Sequence, residues 1–178
     1  MPPFQLLLLD ANVIIKAHEL GIWEQLINRC HITISRSVAE DEANYWEDSQ
    51  GIRYNIDLAK DIQAGRVNCE NVSIAKISEF RELFDLSYLD RMDPGETESL
   101  AILYFKADEH WMIASSDAIV FKILGNIKLG DRGISLEEIL TQIGLQQKLP
   151  FQHTQRFRRK YTKEGEQDSI RGRGLKSK

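Results

Sequence analysis

The sequence predicts an α/β fold, a three-layer α/β/α sandwich around an open and mostly parallel sheet. Three observations predict it. Short apolar runs of strand length alternate with segments of helical period. The first run, Phe4 to Leu9, is continuously apolar apart from Gln5, as a strand covered on both faces requires. Capping signatures then mark where several helices begin. A length of 178 residues fits one domain with an appendage, and 42% hydrophobic with 28% charged residues suits a packed core.

In chain order, Phe4 to Leu9 is read as a central strand that stops at Asp10. Val13 to Leu20 has helical spacing, Gly21 breaks it, and Trp23, Leu26 and Ile27 resume it before a second strand at His31 to Ile34. Ser37 and Glu40 stand at capping-box spacing, which opens a helix through Val38, Ala39, Ala43, Tyr45 and Trp46 to about Gly51. Ile56 to Ala64 reads as helix and Arg66 to Val72 as a short edge strand. Apolar residues at 74, 77, 80, 83 and 84 line one face of the next helix. The best-marked helix start is Asp93-Pro-Gly-Glu96, with an N-cap, a proline at the first helical position and an acid at N3. Trp111 to Ala114 is read as a strand, Ala118 to Leu124 as a helix and Ile127 to Leu129 as the last strand. Ser135 and Glu138 cap a final helix lined by Leu136, Ile139, Leu140 and Ile143 and stopped by Gly144.

Charge divides the chain. From Phe151 onward there are nine Lys/Arg against three acids, a balance of +6, so the net −4 of the whole leaves −10 for residues 1–150. This places a folded body at 1–148 and a basic, flexible tail at 149–178, where three glycines and the lack of a sustained apolar period argue against packing. Such a tail fits a polyanionic partner or a solvated terminus. No apolar run approaches the roughly 18 residues of a membrane span and no basic segment precedes Leu6 to Leu9, so a soluble, intracellular, cytoplasmic protein is expected. Cys30 and Cys69 lack metal-ligand spacing and read as reduced, packed thiols.

In open α/β sheets the functional crevice lies beyond the carboxyl ends of the strands. Asp10 follows the first strand directly, and Asp117 follows the Trp111 to Ala114 strand after two serines. Two further acids come from helices. Glu42 falls on the apolar stripe between Val38 and Trp46, with Asp41 a close competitor, while Glu40 serves as the partner of Ser37. Glu98 lies just inside its helix, whereas Glu96 is accounted for as the capping partner of Asp93. Converging acids without matching cations call for a divalent ion, and oxygen-only ligands suit Mg²⁺ or Mn²⁺. No Gly-rich phosphate loop, nucleophile elbow, dinucleotide fingerprint or His/Cys cluster competes, since His18, His31, His110 and His153 are scattered.

Four segments carry a resemblance: Leu6-Leu-Leu-Leu-Asp10-Ala-Asn12, Ile34-Ser-Arg-Ser-Val38 through Glu42, Asp93-Pro-Gly-Glu96-Thr-Glu98, and Ile113-Ala-Ser115-Ser-Asp117. In this order and spacing, over about residues 4 to 145, they resemble the successive motifs of PIN-domain ribonucleases. The resemblance implies a Mg²⁺- or Mn²⁺-dependent acidic site that hydrolyses RNA phosphodiesters, often as the toxin of a bacterial toxin–antitoxin pair with an antitoxin protein, and often as a homodimer. Asp10, Glu42, Glu98 and Asp117 would be its acids, with Asp10, Glu98 and Asp117 as the metal ligands. Asn12 and Ser115 resemble the supporting polar residues, with Asp41 and Glu96 as alternative acids. The tail's Arg156, Arg158, Arg159 and Lys160, beside Phe157 and Tyr161, are candidates for RNA phosphate and base contacts. The rivals are a non-catalytic PIN-like binding module and a receiver-like or haloacid-dehalogenase-like domain. The latter would want Asp where Asn12 stands, and the former a strand-terminal Lys that the sequence does not display.

Overall fold

The computed structural model describes residues 7–106 and 110–176. In chain order the elements are β1 (Leu7–Leu9), α1 (Ala11–Glu19), α2 (Trp23–Arg29), β2 (Ile32–Ser35), a π-helical turn Val38–Glu42, a hairpin of β3 (Tyr45–Glu47) and β4 (Arg53–Asn55), α3 (Leu58–Gln63) and β5 (Val67–Glu70). There follow α4 (Ile74–Glu82), α5 (Leu86–Leu89), α6 (Pro94–Phe105), β6 (Met112–Ala114), α7 (Ala118–Asn126), β7 (Gly133–Ile134), α8 (Leu136–Gln142) and α9 (Gln155–Ile170). The expected strand residues Phe4 to Leu6 lie outside the described residues.

Five strands form one sheet in the order β5-β2-β1-β6-β7, each pair parallel. Helices cover both of its faces, so the fold is the three-layer α/β/α sandwich expected. The pleat explains the unbroken Leu7-Leu8-Leu9 run. Leu7 and Leu9 enter the core shared with α1, α2, α3 and α8, whereas Leu8 enters the opposite core with α4, α6, α7 and α9. All three side chains are fully buried. The chain leaves β1 for β2 and β5 on one side, then crosses to β6 and β7 on the other. The switch point therefore lies between β1 and β6, whose pairing continues to the very end of the strands through the Asp10 N–H to Ala114 carbonyl bond (3.0 Å).

Four expectations are corrected. The helix expected from Ser37 to about Gly51 is a single π-helical turn followed by a hairpin. Glu40 pairs with Arg36 rather than closing a capping box, and the apolar spacing is shared between the turn, which buries Val38 and Ala43, and a cross-strand stack of Trp46 on Tyr54 (4.4 Å). Asp48 closes the loop by accepting from the Gln50 and Ile52 N–H groups, with Gly51 at φ +78. The last strand is Gly133–Ile134 rather than Ile127 to Leu129, where Lys128 turns to φ +63 and ends any extended run. Finally, the residues expected to form a flexible tail include α9, sixteen residues long and packed across α7. Cys30 is buried as expected, but Cys69 is exposed.

Docking of α9 rests on close backbone approach. A Cβ on Gly165 would fall on the Lys122 carbonyl, and one on Gly125 on the Thr162 carbonyl, so only glycine at these positions lets the two helices touch. Phe157 fills the remaining space edge-on to Phe121. At the other end the Arg158 guanidinium grips Glu138 of α8 with two bonds of 2.7 Å. Burial pushes the Glu138 carboxyl up, but Arg158, the Ser135 N–H and hydroxyl, and Gln155 outweigh it and hold it at about 2. A depressed carboxyl contributes stability above its unfolded value, lost as pH falls from about 4.5 through about 2. Arg158→Ala is expected to cost about 2 to 3 kcal/mol at pH 7 and to flatten the acid limb of the stability profile, both read from urea melts across pH.

Candidate acidic site at the switch point

Asp10 ends β1 and caps α1, its Oδ1 accepting from the Ala11 N–H at 2.8 Å. Its Oδ2 accepts from the Ser115 hydroxyl at 2.9 Å, and that same Oγ accepts from the Asp117 N–H at 3.0 Å. Ser115 thus couples the two strand-terminal acids across the switch point. Asp117 caps α7 through Oδ1, which takes the Ile119 N–H at 3.0 Å. Both acids serve as helix caps, and both stand at the carboxyl ends of adjacent strands.

Two more acids arrive from α6 and the π-helical turn. The Asp93/Glu96 capping box is formed as expected, with Glu96 N–H to Asp93 Oδ1 at 2.7 Å and Asp93 N–H to Glu96 Oε2 at 3.1 Å. Glu42 reaches the same helix start and accepts from the Gly95 N–H at 2.7 Å through Oε1. Gly95 leaves room for this contact, because a Cβ there would land on the Glu42 carboxylate. Gly95→Ala is therefore expected to leave the fold and melting temperature nearly unchanged while displacing Glu42. Any cleavage that depends on Glu42 should fall by roughly 10- to 100-fold, as measured by RNA cleavage beside a thermal melt.

The electrostatics show which acids share a field. Burial pushes the Asp10 carboxyl up to about 7 against the lowering bond from Ser115, with Asp93 and Glu42 pushing it further. Burial raises Glu96 to about 9, reinforced by Asp117, Asp10 and Asp93. Glu42 is raised by burial and then by Asp93, with Asp41 and Glu98 adding to it. Asp93 is common to all three, yet its sequence signal was that of an N-cap alone. The location of that cap, beside the β1 and β6 ends, is a tertiary fact without a local signature.

The structure brings Asp10, Asp117 and Glu96 together, with Glu42 and Asp93 alongside. Glu98 is buried but directed elsewhere, its Oε2 accepting from the Ser37 N–H at 2.7 Å, on the β2 side. Glu96 rather than Glu98 is thus the α6 acid that interacts with Asp10 and Asp117. Asn12 is exposed on the first turn of α1, and Asp41 is exposed on the π-helical turn. Arg158 is engaged with Glu138, whereas Arg156, Arg159 and Lys160 are exposed on α9.

An all-carboxylate donor set suits a hard divalent cation, and the raised Asp10 and Glu96 carboxyls are those that a nearby positive charge would relieve. Among the described residues, no group of three or more of His, Cys, Asp and Glu is arranged to hold an ion directly. Mg²⁺ fits such a site through one or two carboxylates and its own waters, a mode that needs no closed protein cage. No helix among the described residues is long and apolar enough to cross a membrane. Compared with protein-family models, curated proteins and solved structures, the chain matches none.

Proposed function

We propose that the chain is a Mg²⁺- or Mn²⁺-dependent ribonuclease of PIN-like design. The observation that supports the reading is the meeting of acids from four separated segments at the β1/β6 switch point. Two of these carboxyls, Asp10 and Glu96, are raised by burial and by neighbouring carboxylates. One or two of Asp10, Glu96 and Asp117 would hold the cation directly and the rest through its waters, with Glu42 and Asp93 at the rim. When bound, the cation supplies a more acidic water and neutralises charge on a phosphodiester. The chain's own residues do the positioning. Ser115 fixes Asp10 and Asp117 relative to each other, and the Gly95 N–H fixes Glu42. Exposed Arg156, Arg159, Lys160 and Lys163 recur at 3.6-residue spacing along α9 and offer a row of phosphate contacts on an otherwise acidic body.

The test is cleavage of a mixed set of end-labelled RNAs in EDTA, Mg²⁺ and Mn²⁺. Cleavage with metal and none in EDTA is the expected result. The competing reading is a non-catalytic PIN-like module. RNA binding without cleavage under either metal would select it.

A further inference from the structure

We propose that the β3–β4 hairpin is a stacking platform that holds unpaired bases of a single-stranded RNA beside the acidic site. The proposal rests on the nucleic-acid reading above and narrows its substrate class. Seven large apolar side chains are exposed among the described residues, and three of them, Tyr45, Ile52 and Tyr54, sit on this short hairpin. Aromatic rings left in water this way are not serving the core.

The rings are already arranged for stacking. Trp46 and Tyr54 lie opposite each other across the strand pair, with centroids 4.4 Å apart and planes 16° from parallel. Trp46 packs partly against the core and covers one face of Tyr54. The phenol hydroxyl donates to Asp48 at 3.2 Å, which pins the ring. Much of the remaining Tyr54 surface, 41% of the residue, is open. On the other side of the ribbon the Arg53 guanidinium lies 4.5 Å from the Tyr45 ring centroid, held there by Glu47 at 2.7 Å. A pinned ring backed by a second ring, with a guanidinium on a neighbouring one, presents π-faces at little further ordering cost.

The position ties this platform to the site. Tyr45 follows Glu42 by three residues, a reach of at most about 11 Å. The β3 strand also packs on α1, whose first residue follows Asp10. A strand stacked on the hairpin therefore passes the carboxylates. A duplex keeps its base faces to itself, so the platform selects single strands, loops or bulges. The hairpin carries Glu47 and Asp48 against Arg53 and so offers no net positive charge to phosphates; this contact is made through base faces and is less sensitive to salt than one made through phosphates.

Trp46 supplies a spectroscopic readout independent of turnover. Of the three tryptophans, Trp23 and Trp111 are 5% and 3% exposed, so quenching by an added strand reports on Trp46. The experiment titrates full-length protein in EDTA with an end-labelled unstructured oligoadenylate, and with a fully paired RNA duplex, reading anisotropy and tryptophan emission. The expected result is binding of the single strand with quenching, a weaker response to the duplex, and a loss of roughly tenfold in affinity in Tyr54→Ala and in Tyr45→Ala. Tyr54→Phe, which keeps the ring, should restore most of it.

Unchanged affinity in both alanine variants overturns the platform, even if metal-dependent cleavage is intact. A change in oligomeric state with unaltered RNA binding also overturns it, by making the hairpin a contact between two copies of the chain. Quenching and ring-dependent binding without cleavage under any metal uphold the platform and overturn the nuclease reading instead.

Discussion

Glu96→Gln is expected to lower metal-dependent RNA cleavage by about 10²- to 10⁴-fold while raising the melting temperature of the metal-free protein. Glutamine keeps the capping bond to the Asp93 N–H, since Gln serves at N3 as Glu does. What it removes is a carboxyl placed among Asp117, Asp10 and Asp93 in a buried setting. The sign of the pH dependence follows. A carboxyl raised in the folded state contributes stability fully below its unfolded value and loses it as pH rises through the folded value. For Glu96 that window runs from about 4.5 to about 9, and for Asp10 from about 3.8 to about 7. Between pH 9 and 7 the metal-free protein should therefore grow more stable as pH falls. Below about 6.5 His153, which burial holds at about 4, begins to offset the gain. Mg²⁺ or Mn²⁺ should raise the melting temperature more at pH 8.5 than at pH 6, with proton release visible as a buffer-dependent heat of binding. Glu98→Gln should do less to cleavage, because Glu98 is committed to the Ser37 N–H. The reverse ranking, with Glu98 essential and Glu96 dispensable, would return the α6 role to Glu98.

Gly165→Ala is expected to destabilise the protein by about 3 kcal/mol, lowering the melting temperature by roughly 6 to 12 °C. The sign is the informative part. Glycine to alanine inside a helix ordinarily stabilises by roughly 0.4 to 1 kcal/mol, through helix propensity and a less flexible unfolded chain. Here the added methyl would fall on the Lys122 carbonyl, a backbone group in the middle of α7. Relief requires α9 to lift, which exposes Phe157 and the face of α7 beneath it. Gln167→Ala, on an exposed position of the same helix, should stay within about 0.5 kcal/mol of wild type. A Gly165→Ala protein as stable as wild type would mean that α9 does not dock in solution. For the same reason, cutting the chain at Lys148 removes part of the core together with the basic row, so salt dependence of RNA binding is better tested by Arg156→Gln and Lys160→Gln.

The parts of the fold that the sequence reveals are those with strictly local causes. The buried run at Leu7 to Leu9 and the capping boxes at Asp93/Glu96 and Ser135/Glu138 need no distant partner to be recognised, and all are formed. Asp10 and Asp117 were legible because a strand end fixes where the next residue goes. The hairpin is not legible because Val38, Ala43 and Trp46 at near-helical intervals mimic an amphipathic helix, while a bond that ties the turn to the rest of the fold, from the Gly95 N–H to Glu42, comes from fifty-three residues away in sequence. Helix α9 was missed because its contact face consists of Phe157, Tyr161, Thr162 and Gly165, and glycine registers as a helix breaker until its partner backbone is known. The preference of the site for Glu96 over Glu98 rests on the rotation of α6 relative to β1 and β6, which no spacing within the segment encodes.

The strand order has a consequence for the route to the native state. Leu7 pairs with Ile32 twenty-five residues on, but also with Met112, one hundred and five residues on. Two doublings of loop length add about 1.2 kcal/mol to the entropic cost of closure. The half-sheet β5-β2-β1 is therefore the favoured early assembly, and β6 joins later. Asp10 belongs to the first half, whereas Ser115 and Asp117 arrive with the second, so the acidic centre exists only when the two halves have met. A chain arrested at the half-sheet would have part of a core but no site, which would form only once β6 has joined β1.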